Sequence, residues 1–183
     1  MTTRRATLAE RMGTTVHVSP LRFKLEALRR RCPLPDGGEL EDWLVETANA
    51  RGARIVVRPE PARGFQPPPP AQLSNEELVV GICQWQCLDR PQMLRLAAQL
   101  ISRKAVDVRR LCLVARRERV GRVLAELARQ ALRVEPEHAL WRAIRYAFAN
   151  ERPLPDSLLH WTRLAQPVMP KGRGNPAGWK LAA

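Results

Sequence analysis

Histidine is the side chain that most often acts as the base in a hydrolytic site, and the sequence contains three: His17, His138 and His160. A triad also needs a nucleophile and an orienting acid within hydrogen-bonding reach of the imidazole. The valines that flank His17 indicate a strand, and the pattern around His138 places it on the polar side of a helix. No Gly-x-Ser-x-Gly sequence occurs. We therefore expect no catalytic residues, and an enzyme is the less favoured class.

Cysteines provide the second chemistry to consider. Cys83 and Cys87 are four residues apart, so a helix could bring both thiols to one face. A structural zinc site needs four close ligands, and nothing nearby supplies the other two. Cys32 and Cys112 also fall in apolar helical patterns. The pattern predicts buried, reduced thiols, which are typical of a cytoplasmic protein, and no metal is expected.

Neither the P-loop sequence nor Gly-x-Gly-x-x-Gly is present, so no phosphate-containing cofactor is expected. The acidic residues between Glu39 and Glu46 lie in the first half of a predicted helix. Negative charge there stabilises the helix dipole, which explains the cluster without a catalytic role. The sequence also lacks any apolar run of the roughly 18 residues that a membrane span requires. We therefore expect no membrane partner.

Arginine side chains between residues 103 and 133 form the best candidate for a binding site. Ten basic residues oppose three acidic residues in this stretch. A helical projection places apolar side chains on the buried side, with four arginines and Leu113 on the opposite side. We call this surface the arginine face; it consists of Leu113 and the four arginines Arg109, Arg110, Arg116 and Arg117. Guanidinium groups bind phosphate or carboxylate in a bidentate manner, so this face is a candidate anion or nucleic-acid site.

The overall charge has two explanations. The formal net charge of +13 arises from 27 arginines and 4 lysines against 18 acids. Such an excess favours a nucleic-acid or other anionic partner. A coding bias towards arginine, spread over solvated surfaces, produces the same excess, and the sequence is compatible with both explanations.

Hydrophobic periodicity of about 3.6 residues predicts a mainly α protein. Ser19 and Pro20 open a helix that ends near Arg31, with Ser19 as the N-cap. Ser74 and Glu77 form a capping box at the start of a helical domain. This domain is predicted to contain five helices. The short turns between them favour a bundle or a short helical array. The helices after the first are predicted over 39–51, 74–86, 90–104, 106–117, 119–133 and 136–149.

The fourth helix of this domain has the clearest apolar stripe, and we expect Glu126 on its outer side, paired with neighbouring arginines. The stripe consists of Val120, Leu124, Leu127, Ala131 and Val134.

Residues 1–58 are predicted to form a small α+β element with two short strands, at 14–18 and 53–58. A helix-turn-helix at Ala9 and Gly13 is an alternative there, although its connection is too long. A proline-rich connector occupies 59–72, the helical domain 73–150, and a tail with one short helix at 156–165 completes the chain. The helical domain is expected to fold on its own.

These patterns favour a non-enzymatic helical module that binds another macromolecule. A protein partner is expected. The alternative is a nucleic-acid-binding protein that uses the arginine face.

Overall fold

The computed structural model describes residues 19–53, 64–84, 91–103, 105–152, 165–167 and 179–181. Within these ranges the chain is mainly α, as predicted, with seven helices packed together. In chain order they are α1 Pro20–Arg31, α2 Leu40–Ala50, α3 Asn75–Gln84, α4 Pro91–Ser102, α5 Val108–Arg117, α6 Gly121–Ala131 and α7 Ala139–Ala147. None of these helices is long and apolar enough to cross a membrane.

Two short strands, β1 at Ala165–Pro167 and β2 at Trp179–Leu181, pair antiparallel with Gln166 opposite Lys180. The sequence did not predict this pairing. Four predictions fall wholly or mostly outside the described residues. They are the strand at 14–18, the strand at 53–58 apart from Ala53, the helix-turn-helix alternative at Ala9 and Gly13, and the helix at 156–165 apart from Ala165.

Local capping signals fix where the helices begin. The backbone N–H of Ser74 donates to the Glu77 carboxylate over 3.0 Å, and the N–H of Glu77 donates to Ser74 Oγ over 3.2 Å, which confirms the capping box. Ser19 Oγ accepts from the N–H of Arg22 over 3.0 Å at the start of α1. Such side chains satisfy backbone donors that have no partner inside the helix. The helix starts were therefore predictable from short sequence patterns.

Helix α3 lies at the centre of the molecule, with all six residues from Leu78 to Cys83 buried. Helix α1 crosses it antiparallel, since Ser19 lies beside Gln84 and Lys24 beside Glu77. The two helices approach so closely that a Cβ on Gly81 would lie 2.7 Å from the Leu25 side chain.

Helix α5 runs parallel to α3 on another side. Glu76, at the start of α3, accepts from the N–H of Asp107 over 2.7 Å. At the other end Gln84 bonds to Glu118, which directly follows α5. One hydrophobic core, which includes Trp43 before the connector and Trp141 after it, extends across these helices.

The described part of the proline-rich connector is fixed to this core. Arg51, just after α2, donates to the carbonyl oxygens of Pro68 and Leu73 over 3.2 and 2.6 Å. It also donates to the Asn75 side chain over 2.8 Å. Burial lowers the pKa of the Arg51 guanidinium, while the negative charges of the two glutamates at the start of α3 oppose this shift. The connector thus follows the surface of the helices.

The prediction for Glu126 was right about its pairing with Arg129 and wrong about its outer position. This side chain is buried, and it accepts hydrogen bonds from Arg129 and from Gln130 over 2.7–2.8 Å. Gly121, Leu124, Leu127, Ala128 and Ala131 are buried on the same helix. Helix α6 contacts α4, α5 and α7, so its buried surface is wider than the single apolar stripe in the sequence. A carboxylate at its edge is therefore enclosed and hydrogen-bonded.

Replacing Leu25 by Ala should lower the free energy of unfolding by about 2–5 kcal/mol, because it leaves a cavity between α1 and α3. Phe23→Ala on the same helix is the matched control. Phe23 is 68% exposed, so we expect a change within about 0.5 kcal/mol. Urea unfolding of both variants measures the difference. A Leu25→Ala variant as stable as Phe23→Ala would show that α1 does not belong to the cooperative core.

Candidate binding face on helix α5

Helix α5 has one buried and one exposed side. Leu111, Cys112 and Ala115 are buried against the core. The four arginines of the arginine face are exposed, and Leu113 among them is 66% exposed. Helical geometry separates the arginines into two pairs spaced seven residues apart, Arg110 with Arg117 and Arg109 with Arg116. Leu113 lies between the pairs.

The pair formed by Arg110 and Arg117 adjoins two buried carboxylates. Arg117 Nε donates to Glu118 Oε1 over 3.2 Å, and Arg110 Nε lies 3.8 Å from Glu76 Oε2. The arginine side chains are still 57% and 61% exposed, whereas the glutamate side chains are almost fully buried. The Arg117 guanidinium is therefore hydrogen-bonded at Nε, whereas Arg110 lies only within ion-pair distance of its glutamate, and both side chains are largely open to solvent.

Glu118 connects this pair to the start of α1. Its carboxylate accepts a hydrogen bond from Ser19 Oγ over 2.6 Å and one from the backbone N–H of Leu21 over 3.2 Å. Gln84 Nε2 donates to the same carboxylate over 2.6 Å. The sequence predicted Ser19 as a cap but gave no sign of Glu118, which is 99 residues away.

Glu77 forms an ion pair that connects α3 to α1. Lys24 Nζ lies 2.6 Å from Glu77 Oε1. Burial alone would raise the pKa of Glu77, but hydrogen bonds from Lys24 and Ser74, with the charges of Lys24 and Arg110, hold it below its usual range. The carboxylate is therefore ionised at neutral pH, and Arg110 lies in the field of two glutamates.

The second pair behaves differently. Arg116 Nη2 donates to the carbonyl oxygen of Ala147 over 3.1 Å, and its guanidinium carbon lies 5.5 Å from the centroid of the Phe148 ring. A cation at the last carbonyls of a helix is favourable, so Arg116 stabilises the end of α7. Arg109 has no such contact among the described residues. The sequence could not separate these two roles, because both arginines occupy exposed helical positions.

The position predicted for His138 was wrong. Its side chain is 15% exposed, and Nε2 lies 3.2 Å from the carbonyl oxygen of Ser102. The Trp141 indole donates to Ser102 Oγ over 3.1 Å. His138 is the residue before α7, where the helical projection that placed it on the polar side does not apply. His17 and His160 lie outside the described residues.

The Cys112 thiol has little reactivity. Among the described residues Cys32, Cys83 and Cys112 form no disulfide, and Cys87 lies outside these residues. Burial raises the pKa of the Cys112 thiol, so it stays protonated and weakly nucleophilic at neutral pH. Within the part of the chain that the structure describes, no group of three or more potential ligands could hold a metal ion.

Glu118→Gln should lower the free energy of unfolding by about 2–4 kcal/mol. The side-chain amide of glutamine would place an N–H donor against Ser19, Leu21 and Gln84, which already donate to this position. The substitution would also remove the buried negative charge that pairs with Arg117. Glu137→Gln is the matched control, since Glu137 is exposed and, among the described residues, pairs with exposed Arg142 alone. Chemical unfolding compares the two. Equal stability would mean that the carboxylate contributes nothing to the packing of α1.

Arg116→Ala should cost about 1 kcal/mol of stability, because it removes one hydrogen bond and one cation–π contact. Arg109→Ala, seven residues earlier on the same side of α5, should change stability by less than about 0.5 kcal/mol. Thermal unfolding measures both. The assignment of Arg116 to structural support fails if the two variants are equally stable.

No protein-family model, curated protein or solved structure matches this sequence. The interpretation of the arginine face consequently depends on its own contacts, exposure and charge. These properties describe a positively charged surface around an exposed leucine, supported from beneath by two buried glutamates.

Proposed function

We propose that the protein is a non-enzymatic interaction module that binds another macromolecule through the arginine face of α5. One observation carries the proposal. A helix that buries one side completely presents four guanidinium groups and a largely exposed leucine on the other. A single exposed apolar side chain is ordinary on a solvated surface. The proposal therefore rests on the position of Leu113 among four guanidinium groups, because arginine is enriched at binding surfaces.

Two features favour a protein partner over a nucleic acid. Arginine is enriched among the energetically important residues of protein interfaces, and four arginines surround the exposed Leu113 side chain. In addition, the Arg110 and Arg117 charges are partly balanced by Glu76 and Glu118. This balance weakens the uniform positive field that attracts a phosphate backbone. Binding of a protein partner through individually placed carboxylates depends less on that uniform field.

Nucleic-acid binding is the alternative function. The face contains Arg109, Arg110, Arg116 and Arg117, and such groups can contact phosphates in a bidentate manner. Phosphate contacts release counterions, so this alternative requires a steep dependence on salt concentration. Coding bias towards arginine, the third explanation, requires that the face bind nothing.

Photo-cross-linking tests the proposal directly. A photoreactive phenylalanine replaces Leu113 in the full-length protein expressed in cells, and the matched control carries it at Phe23, which is equally exposed on α1. We expect discrete protein adducts from position 113 and none of the same size from position 23. The adducts should disappear in a variant with Arg109, Arg110 and Arg117 changed to Gln. Arg116 is retained because it supports α7.

Fluorescence anisotropy with mixed DNA and RNA oligomers tests the alternative. Affinity that falls by orders of magnitude between about 50 and 200 mM salt, and is lost in the triple variant, would identify the face as a nucleic-acid site. A control variant changes three exposed arginines elsewhere, Arg30, Arg133 and Arg145, to Gln. If neither adducts nor oligonucleotide binding depend on the face, the interaction proposal is rejected and the charge is compositional.

A further inference from the structure

We infer that the arginine face is built to receive an acidic amphipathic helix of a partner protein. In this inference, which rests on the proposed function, Arg110 and Arg117 act as two pre-oriented carboxylate receptors. Leu113 is the apolar contact between them. The partner helix would carry carboxylates seven residues apart and an apolar side chain three or four residues after the first carboxylate.

The orientation of the two guanidiniums is the first support. Arg117 donates through Nε to Glu118, and the closest approach of Arg110 to Glu76 is also through Nε. Contacts at Nε leave the two terminal amino groups of each guanidinium for another acceptor. These amino groups form the planar fork that matches a carboxylate. The hydrogen bond to Glu118 restricts the Arg117 side chain, and the charge of Glu76 favours conformers of Arg110 that keep its Nε near that carboxylate. Binding therefore costs these two arginines less conformational entropy than it costs free surface arginines.

Their spacing is the second support. Seven residues correspond to about two helical turns, or roughly 10.5 Å along the axis of α5. Another helix lying along α5 has the same repeat, so carboxylates at its own seven-residue spacing face both receptors together. Residues three or four positions along a helix share that face. An apolar residue there would cover Leu113, whose side chain otherwise remains in water.

Charge complementarity selects this occupant. The neighbouring Arg109 adds a further positive group without a described partner, so positive charge predominates around Leu113, with the exposed Asp107 at the start of α5. An acidic amphipathic helix would pair its carboxylates with the arginines and cover Leu113 with an apolar side chain. A phosphate backbone satisfies the charges only and leaves Leu113 beside a polar strand.

Two synthetic helical peptides of about 20 residues and identical composition test the inference. The matched peptide places two glutamates seven residues apart with a leucine between them on the same face. The mismatched peptide places the glutamates five residues apart, which directs them to different sides of the helix. Fluorescence anisotropy with the full-length protein should show at least tenfold tighter binding of the matched peptide. Leu113→Ala should weaken that binding.

Charge-preserving variants separate orientation from net charge. Arg110→Lys and Arg117→Lys keep the positive charge but lose the planar fork, so each should remove most of the preference for the matched peptide. Arg133→Gln, which lowers the net charge elsewhere, should leave the preference unchanged. Unfolding curves of each variant establish that the fold is retained.

Equal binding of the two peptides, or full preference in both lysine variants, overturns the inference. Binding of oligonucleotides but not of the matched peptide through the same residues also overturns it, in favour of the nucleic-acid alternative. If the matched peptide does not bind while protein adducts at position 113 still form, the inference of an acidic helical partner is rejected and the proposed function is retained. If the adducts are absent as well, the proposed function is also rejected.

Discussion

The carboxylate of Glu118 is the interaction on which the arrangement of three helices depends. It lies directly after α5, accepts from Ser19 and Leu21 at the start of α1, and accepts from Gln84 at the end of α3. Burying a carboxylate is costly unless its lone pairs receive donors, and these contacts provide them. The positive end of the α1 dipole adds to the stabilisation. One side chain therefore fixes where three helix termini meet.

The same carboxylate shapes the outer surface. Arg117 donates to it from the exposed side, so the residue that organises the interior also positions a candidate binding group. Glu76 has a corresponding arrangement at the other end of α5, with the N–H of Asp107 on one oxygen and Arg110 near the other. Fold stability and the geometry of the arginine face are thus coupled through two buried glutamates. Changes to either glutamate affect both properties.

Local patterns were sufficient to predict the seven helices. The capping box at Ser74 and the apolar periodicity placed each boundary within a few residues of the observed one. The exposed side of α5 also followed from periodicity, because it depends only on the helix's own sequence. Glu118, Glu126 and His138 were different. Glu118 and His138 contact groups that are distant in the sequence. Glu126 is hydrogen-bonded within its own helix, but neighbouring helices bury it.

In the candidate site, too, the sequence predicts some features, and others depend on tertiary packing. Sequence alone identified four arginines on one side of α5, but it could not show that Arg116 holds the end of α7 or that Arg110 and Arg117 contact buried acids. These distinctions depend on which element lies beside each guanidinium. Tertiary packing places Ala147 beside Arg116 and Glu76 beside Arg110, and it buries Glu118, which is the sequence neighbour of Arg117.

The attachment of the proline-rich connector by Arg51 has a topological consequence. Because this guanidinium binds both Pro68 and Leu73, and because the core is shared by helices on each side, covalent continuity near Gly64 contributes little to holding the two halves together. A chain cut at that exposed glycine would yield two fragments with complementary apolar surfaces. We expect such fragments to reassociate through those surfaces, so the connector is a suitable position for a split reporter.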